Sequence, residues 1–227
     1  NLQMSWTDRR IIKNIVYLRD KYRVKTFVET GTYKGINAKV FSNYFDDLIT
    51  FEKEKQFYEI AKERLKKNKN VKLFLKDSAK GLKTLKFDKY TIYFLDAHFY
   101  DSKAKNKFII TEELKSLKGK TNSILVIHDF DNNLGHLTYD GQPLNLDIIR
   151  KDLFNVNRNF ELYTNELSKC DIVMPLTKDI MSLGYFTEED LKDIWDALSF
   201  VWSQPDKTYR GVLYCLPDKL TDEEQKM

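Results

Sequence analysis

The sequence predicts an α/β fold: a mostly parallel, seven-stranded sheet with helices on both faces and an antiparallel edge strand. Three observations carry this. Short apolar runs alternate five times with helical patterns, and such alternation builds a parallel sheet covered on both sides by its crossovers. The runs are rich in β-branched and aromatic residues and apolar throughout, as strands buried between two helix layers are. Two further runs near the C-terminus read as strands that pair antiparallel at the sheet's edge.

The elements follow in order. Ile11, Ile12, Ile15, Val16 and Leu18 recur at three-to-four spacing, so a helix is expected over 5–22, capped by Ser5 or Thr7. Strands are expected at 24–29, 48–52, 71–76, 91–96 and 123–128, and helices at 34–44, 54–67, 79–85, 107–117 and 146–154. The last two strands are placed at 160–164 and 211–215, around an insertion at 166–209. A helix at 188–202 within it carries Leu191, Ile194, Trp195, Leu198, Val201 and Trp202 on one stripe. Such a stripe packs against the core or a second subunit in preference to forming a lid, which makes a homo-oligomer one expectation. With no repeats and no low-complexity linker, 1–227 reads as one domain: an N-terminal helix (1–23), a core (24–165), the insertion, a last strand (210–216) and a tail (217–227).

Composition narrows the function classes. Hydrophobic residues make up 42% and charged residues 32% of the 227, the balance of a globular chain and not of a disordered one. No apolar run approaches the roughly 20 residues that span a bilayer, and no secretory leader is visible, so the expected setting is cytoplasmic, with no membrane partner. Cys170 and Cys215 share no motif spacing and read as free thiols, implying neither disulfide nor zinc. The net charge is +4 and the pI near 8.8. Basic residues nevertheless alternate with acids, as in 51–55 and 63–67, which reads as solvated helix faces and argues against a nucleic-acid partner.

Open parallel sheets bind ligands beyond the carboxyl ends of their strands. Those positions read Glu29, Glu52, Asp77, Asp96 and Asp129. Any one acid can cap a helix, but five strand ends closing on acids is more than packing requires. The first strand runs into Glu29-Thr-Gly-Thr-Tyr-Lys-Gly35. Gly31 and Gly35 permit positive φ and close approach of a ligand, and the following helix turns its free N–H groups toward the same space. The G-x-G-x-x-G of a dinucleotide site is absent, which disfavours an NAD-dependent oxidoreductase. An acid before the first glycine suits a ligand with positive charge and an amino group, and repels pyrophosphate.

Glu29-x-Gly31-Thr32-x-x-Gly35 resembles the first motif of the class I S-adenosylmethionine-dependent methyltransferases, and the resemblance covers about residues 24–150 before returning at the last strand. It implies a Rossmann-like domain that binds S-adenosylmethionine. Glu29, Gly31, Thr32, Tyr33 and Gly35 would form the loop beside the methionine end, Glu52 would take the ribose hydroxyls, and Asp77 and Ser78 would meet the adenine. Asp96 would border the same pocket. Tyr33 stands where many members carry a further glycine. The N/D/S-P-P-aromatic tetrad typical of exocyclic amine methylation is missing after the fourth strand. In its place stand Asp96-Ala-His-Phe99 and, after the fifth, His128-Asp-Phe-Asp131.

An acid at both ends resembles the metal-dependent O-methyltransferases of catechol and macrolide-sugar type. That implies Mg²⁺ or Mn²⁺ held by Asp96, His128 and Asp129, and a small-molecule acceptor with an oxygen of sugar or phenol type. A hydroxyl must lose its proton to attack the sulfonium methyl, so His98, Asp96 and His128 are the catalytic candidates, His98 the better general base. The bland reading of both histidines is structural. The loop at 136–145 offers Tyr139 and Gln142 as an acceptor wall, or is simply a helix entry. Against small-molecule O-methylation stand a nucleic-acid or protein methyltransferase and a cofactor-binding module without turnover. The insertion is expected to lie peripheral to the cofactor site.

Overall fold

In the computed structural model, which describes residues 9–97, 108–131, 143–164, 187–190, 192–193 and 211–226, strand and helix alternate from the start. Helix α1 (Arg9–Tyr22) leads into β1 (Thr26–Thr30), α2 (Ile36–Phe41), β2 (Asp47–Glu52) and α3 (Lys55–Leu65). Then follow β3 (Val71–Leu75), α4 (Ser78–Thr84), β4 (Thr91–Leu95), α5 (Ile109–Ser116) and β5 (Ser123–His128). The chain closes with α6 (Leu146–Val156), β6 (Glu161–Thr164) and β7 (Val212–Leu216).

The strands form one sheet in the order β3-β2-β1-β4-β5-β7-β6. All pairings from β3 to β5 are parallel, while β7 runs antiparallel to both β5 and β6. The antiparallel strand therefore lies at the expected edge, one place in from the outermost strand β6. Because successive side chains on a strand point to opposite faces, neighbours part company. Val28, Tyr93, Leu95, Leu125 and Ile127 pack under α4, α5 and α6, whereas Phe27, Ile92, Phe94, Ile124 and Val126 pack under α1, α2 and α3. Both layers are buried, which is why the central strands are apolar without alternation.

Two features aim this scaffold at a site. Connections from β1 run outward through β2 to β3, whereas those from β4 run the other way to β5, so a crevice opens where β1 and β4 part. The Thr30 hydroxyl closes its floor by accepting from the Asp96 and Ala97 N–H groups at 3.1 and 3.3 Å. Helix α4 lies close over β2 because Gly81 has no side chain. A Cβ there would come within 2.3–2.8 Å of the Phe51 ring.

Among the described residues the expected strands and helices differ only at their ends, and the tail adds a 3-10 helix at Glu224–Lys226. Helix α2 stops at Phe41, and β1 begins at Thr26. The capping candidates Ser5 and Thr7, Cys170, and the apolar stripe from Leu191 through Ile194 to Trp202 lie outside the described residues. Cys215 is a buried free thiol, its pKa pushed up by burial. The tail returns to α1, where Glu224 accepts from Tyr17 and Lys21 at 2.5 and 2.6 Å. Among the described residues no helix is long and apolar enough to cross a membrane.

Candidate functional site

The loop after β1 alternates in handedness: Gly31, Tyr33 and Gly35 take φ of 76°, 52° and 81°. This folds it down on the end of β2. The N–H groups of Gly31 and Thr32 both donate to the Phe51 carbonyl at 3.1 Å, and that of Tyr33 donates to Glu52 Oε2 at 2.8 Å. Gly35 is needed for space as well as φ, since a Cβ there would lie 3.1 Å from the Ala61 methyl on α3. The departure at Tyr33 is thereby explained. The position requires a left-handed residue, and a tyrosine occupies it at a cost of roughly 1–2 kcal/mol. Its ring packs on Phe57, centroids 4.4 Å apart, and its N–H bond to a carboxylate helps offset the strain.

Glu52 is 7% exposed, and its other oxygen accepts from the Glu54 N–H at 2.8 Å. Each carboxylate oxygen thus has one backbone donor, which fixes its orientation and leaves a second lone pair for a ligand hydroxyl. Glu29 is placed differently. It lies beneath the loop at 1% exposure, accepting from Asn37 at 2.5 Å and Thr50 at 2.6 Å. The Thr32 and Thr50 hydroxyls stand 2.5 Å apart, extending the network into the loop. Burial pushes the Glu29 pKa up to about 8 against the opposing pull of those two hydrogen bonds. Asp77 caps α4, accepting from the Lys80 N–H at 3.0 Å, so the N-cap alternative holds for this acid. Ser78 beside it is buried.

At the ends of β4 and β5 the structure brings Asp96, His128 and Asp129 together, all buried. His128 Nδ1 lies 3.1 Å from Asp96 Oδ1 and 3.2 Å from Asp129 Oδ1. Asp129 adopts φ of 57°, a conformation an aspartate holds at some cost and one that recurs at functional sites. Burial alone would favour a neutral ring, but the two carboxylates outweigh it and push the His128 pKa up to about 10. Flanked by these carboxylates, the ring binds its proton more tightly than a free imidazole does. His98, Tyr139 and Gln142 lie outside the described residues.

Three groups escape a reading of strand ends. Asn37 sits on the buried face of α2. Glu113 on α5 is fully buried among Ile110 and Leu114; the Ser78 and Thr30 hydroxyls are near enough to favour its charged form, but neither of its oxygens closes a hydrogen bond of ordinary geometry. Burial pushes its pKa up to about 7. An acid within an apolar three-to-four stripe is a signal the sequence carried. Arg64 corrects an expectation, because it lies in the 63–67 stretch read as a solvated face. Its side chain is only 4% exposed and pairs with Asp190 and Asp193. Lys34, inside the glycine loop, also reaches Asp193 at 2.6 Å. The described part of the insertion therefore touches the loop, contrary to a wholly peripheral placement.

No protein-family model matches the chain, and no curated protein matches it in sequence. Solved structures do match in fold. The plantazolicin methyltransferase BamL, solved with a triazolic desmethylPZN analog and SAH, is similar at TM-score 0.53 and 14% identity, over 96% of this chain and 86% of that one. The methyltransferase domain of bacterial-CtHen1-CN is similar at TM-score 0.53 and 10% identity, over 92% and 100%. Phosphoethanolamine N-methyltransferase 2 of Haemonchus contortus, solved with S-adenosyl-L-methionine, is similar at TM-score 0.50 and 13% identity, over 90% and 51%. The strand order, the loop after β1 and these likenesses agree, and the chain has the fold of the class I S-adenosylmethionine-dependent methyltransferases.

Proposed function

We propose that the protein transfers the methyl group of S-adenosylmethionine to an oxygen of a small molecule of sugar or phenol type. The observation that carries the cofactor assignment is Glu52, whose oxygens are held by the Tyr33 and Glu54 N–H groups at the end of β2. Two oriented carboxylate oxygens match the two ribose hydroxyls. Gly31, Thr32 and Gly35 let the methionine end approach the loop, with Glu29 bracing it from below. Asp77 and Ser78 border the adenine, and Asp96 faces the crevice between β1 and β4.

In the transfer, the acceptor oxygen attacks the methyl carbon in line, the carbon–sulfur bond breaks, and sulfur keeps the pair as S-adenosylhomocysteine. The acceptor's proton must leave. One ligand atom from each of Asp96, His128 and Asp129 lies within 4.8 Å of the others, near enough for the three to converge on one ion. A divalent ion held by Asp96, His128 and Asp129 would supply Lewis acidity toward the acceptor oxygen. A second reading is favoured by the same contacts. With both carboxylates on one ring nitrogen, a protonated His128 offsets one of their two negative charges without a metal, and His98 is left to take the proton.

Calorimetric titration with S-adenosylhomocysteine tests the cofactor assignment. Binding that weakens in a folded Glu52→Ala protein supports it, and no binding by the wild type overturns it. Methyl loss in an acceptor screen separates an enzyme from a cofactor-binding module, and sugars and phenols compared with RNA and protein separate the acceptor classes.

A further inference from the structure

Residues 187–193 lie far along the chain from the glycine loop, yet they are fastened to it. Thr187 and Asp190 form a reciprocal helix cap: the Thr187 N–H donates to Asp190 Oδ2 at 2.7 Å, and the Asp190 N–H donates to the Thr187 hydroxyl at 3.3 Å. Asp190 also receives Lys39 from α2 and the Arg64 Nε–H from α3. The second arm of the guanidinium donates to Asp193 at 2.6 Å, and its remaining nitrogen donates to the backbone carbonyl of Lys34. Asp190 and Arg64 side chains are 2% and 4% exposed. A planar guanidinium is suited to hold two carboxylates and a carbonyl at once from three separate nitrogens, whereas a lysine carries its three donors on a single one.

Lys34 is the residue after Tyr33, whose left-handed backbone aims its N–H at Glu52. Its carbonyl belongs to the peptide unit between Lys34 and Gly35, the last of the turn's three left-handed residues. Holding that carbonyl fixes the turn from outside, while Glu52 and Phe51 hold it from inside.

We infer that Arg64, clamped by Asp190 and Asp193, is a positioning residue for the cofactor site, and that residues 187–193 are part of the loop's frame. The inference rests on the cofactor reading proposed above. It makes cofactor affinity depend on an ion pair that touches no cofactor atom. Coupling of this kind between distinct places in a protein is worth roughly fivefold to a hundredfold in affinity.

The test uses the whole chain with two readouts: calorimetric affinity for S-adenosylhomocysteine, and hydrogen exchange of the loop amides at 31–36 without ligand. Asp193→Asn, at the more exposed acid, keeps Asp190 on the guanidinium and is the gentler variant. Arg64→Lys keeps the charge but not the fork. Both should weaken binding about tenfold and speed loop exchange. Leu153→Ala, on the buried face of α6, serves as a control that lowers stability without touching the loop, and should change neither readout beyond its stability loss. Unchanged affinity and unchanged exchange in folded Asp193→Asn and Arg64→Lys overturn the inference. Should the wild type bind no S-adenosylhomocysteine, the proposed function falls, and loop exchange alone then decides the clamp. Loop exchange unaltered in both variants overturns it there too, and exchange that quickens in both upholds it.

Discussion

The two halves of the candidate site hold their carboxylates by opposite means. On the β1–β2 side, Glu52 is oriented by two backbone N–H groups, that of Tyr33 in a turn with three left-handed residues and that of Glu54 at the N-cap of α3. Its geometry is set by chain conformation and survives any change of protonation nearby. At the ends of β4 and β5, Asp96 and Asp129 are oriented by one imidazole between them. There the geometry depends on charge: a proton on His128, or a cation in its place, decides what the acids do. A site built from backbone is preorganised for one ligand, while a site built from side chains of opposite charge is poised to change state.

The largest effect is expected where charge holds the site. If an ion held by Asp96, His128 and Asp129 assists ionisation of the acceptor, Asp129→Asn removes one of its ligands and should cut turnover on the order of a hundredfold to ten-thousandfold, the usual worth of assisting that proton's loss. Affinity for S-adenosylhomocysteine should stay within a few-fold. Once an acceptor is known, dialysis against EDTA followed by Mg²⁺ or Mn²⁺ divides the two readings of the triad. Turnover that neither falls nor recovers would eliminate the metal, and full activity in Asp129→Asn would remove the β5 end from the chemistry.

On the backbone-held side the expected loss is smaller and falls on binding. Glu52→Ala deletes charge-assisted hydrogen bonds worth about 1.5–3 kcal/mol, so cofactor affinity should drop roughly tenfold to a hundredfold. The turn itself, still held by Phe51 and Arg64, should persist. Titration showing wild-type affinity in a folded Glu52→Ala protein would break the contrast between the two halves.

Most of the sheet was legible because its signal is periodic: buried strands are apolar runs, and the acids at their ends break those runs abruptly. The glycine loop was legible for a similar reason, since only particular residues tolerate positive φ. Tyr33 shows where that logic stops. Its left-handed φ is compelled by Glu52 and the turn's closure on β2, contacts that link distant strands. Arg64 stops it again, because its neighbours Glu63, Lys66 and Lys67 are exposed and composition alone put it among them. Its burial depends on Asp190 and Asp193, residues no local pattern could assign to it. Glu29 and Asp77 share the strand-end signature with Glu52 yet serve as a brace and a cap. Chain position identifies the neighbourhood, and three-dimensional partners decide the role.

The brace makes a pH prediction. Glu29 has its pKa raised in the fold to about 8, whereas the unfolded carboxyl titrates near 4.3. Between those values the folded state binds a proton that the unfolded state has lost, so stability falls as pH rises from about 5 to 8. His128 and Glu113 are raised as well and act in the same direction, so the wild-type slope is shared. Glu29→Gln removes one contribution. Its melting temperature should decline less between pH 5 and 8 than that of the wild type, and equal declines by calorimetry would show that Glu29 is ionised in the fold.

The smallest effect concerns the turn's handedness. Tyr33→Gly loses the ring contact with Phe57 but relieves a φ of 52°. Tyr33→Ala loses the contact and keeps the strain. The glycine variant should therefore be the more stable of the two by about 1 kcal/mol, the usual preference of glycine over alanine in a left-handed position. Urea unfolding of both variants measures it directly. Alanine equal to or more stable than glycine would mean that the turn does not hold Tyr33 left-handed in solution. The backbone N–H that meets Glu52 is present in all three proteins, so cofactor affinity should not follow the stability order. If affinity instead fell equally in both variants, the tyrosine ring itself would be a binding element, and the backbone-held half of the site would owe part of its selectivity to a side chain.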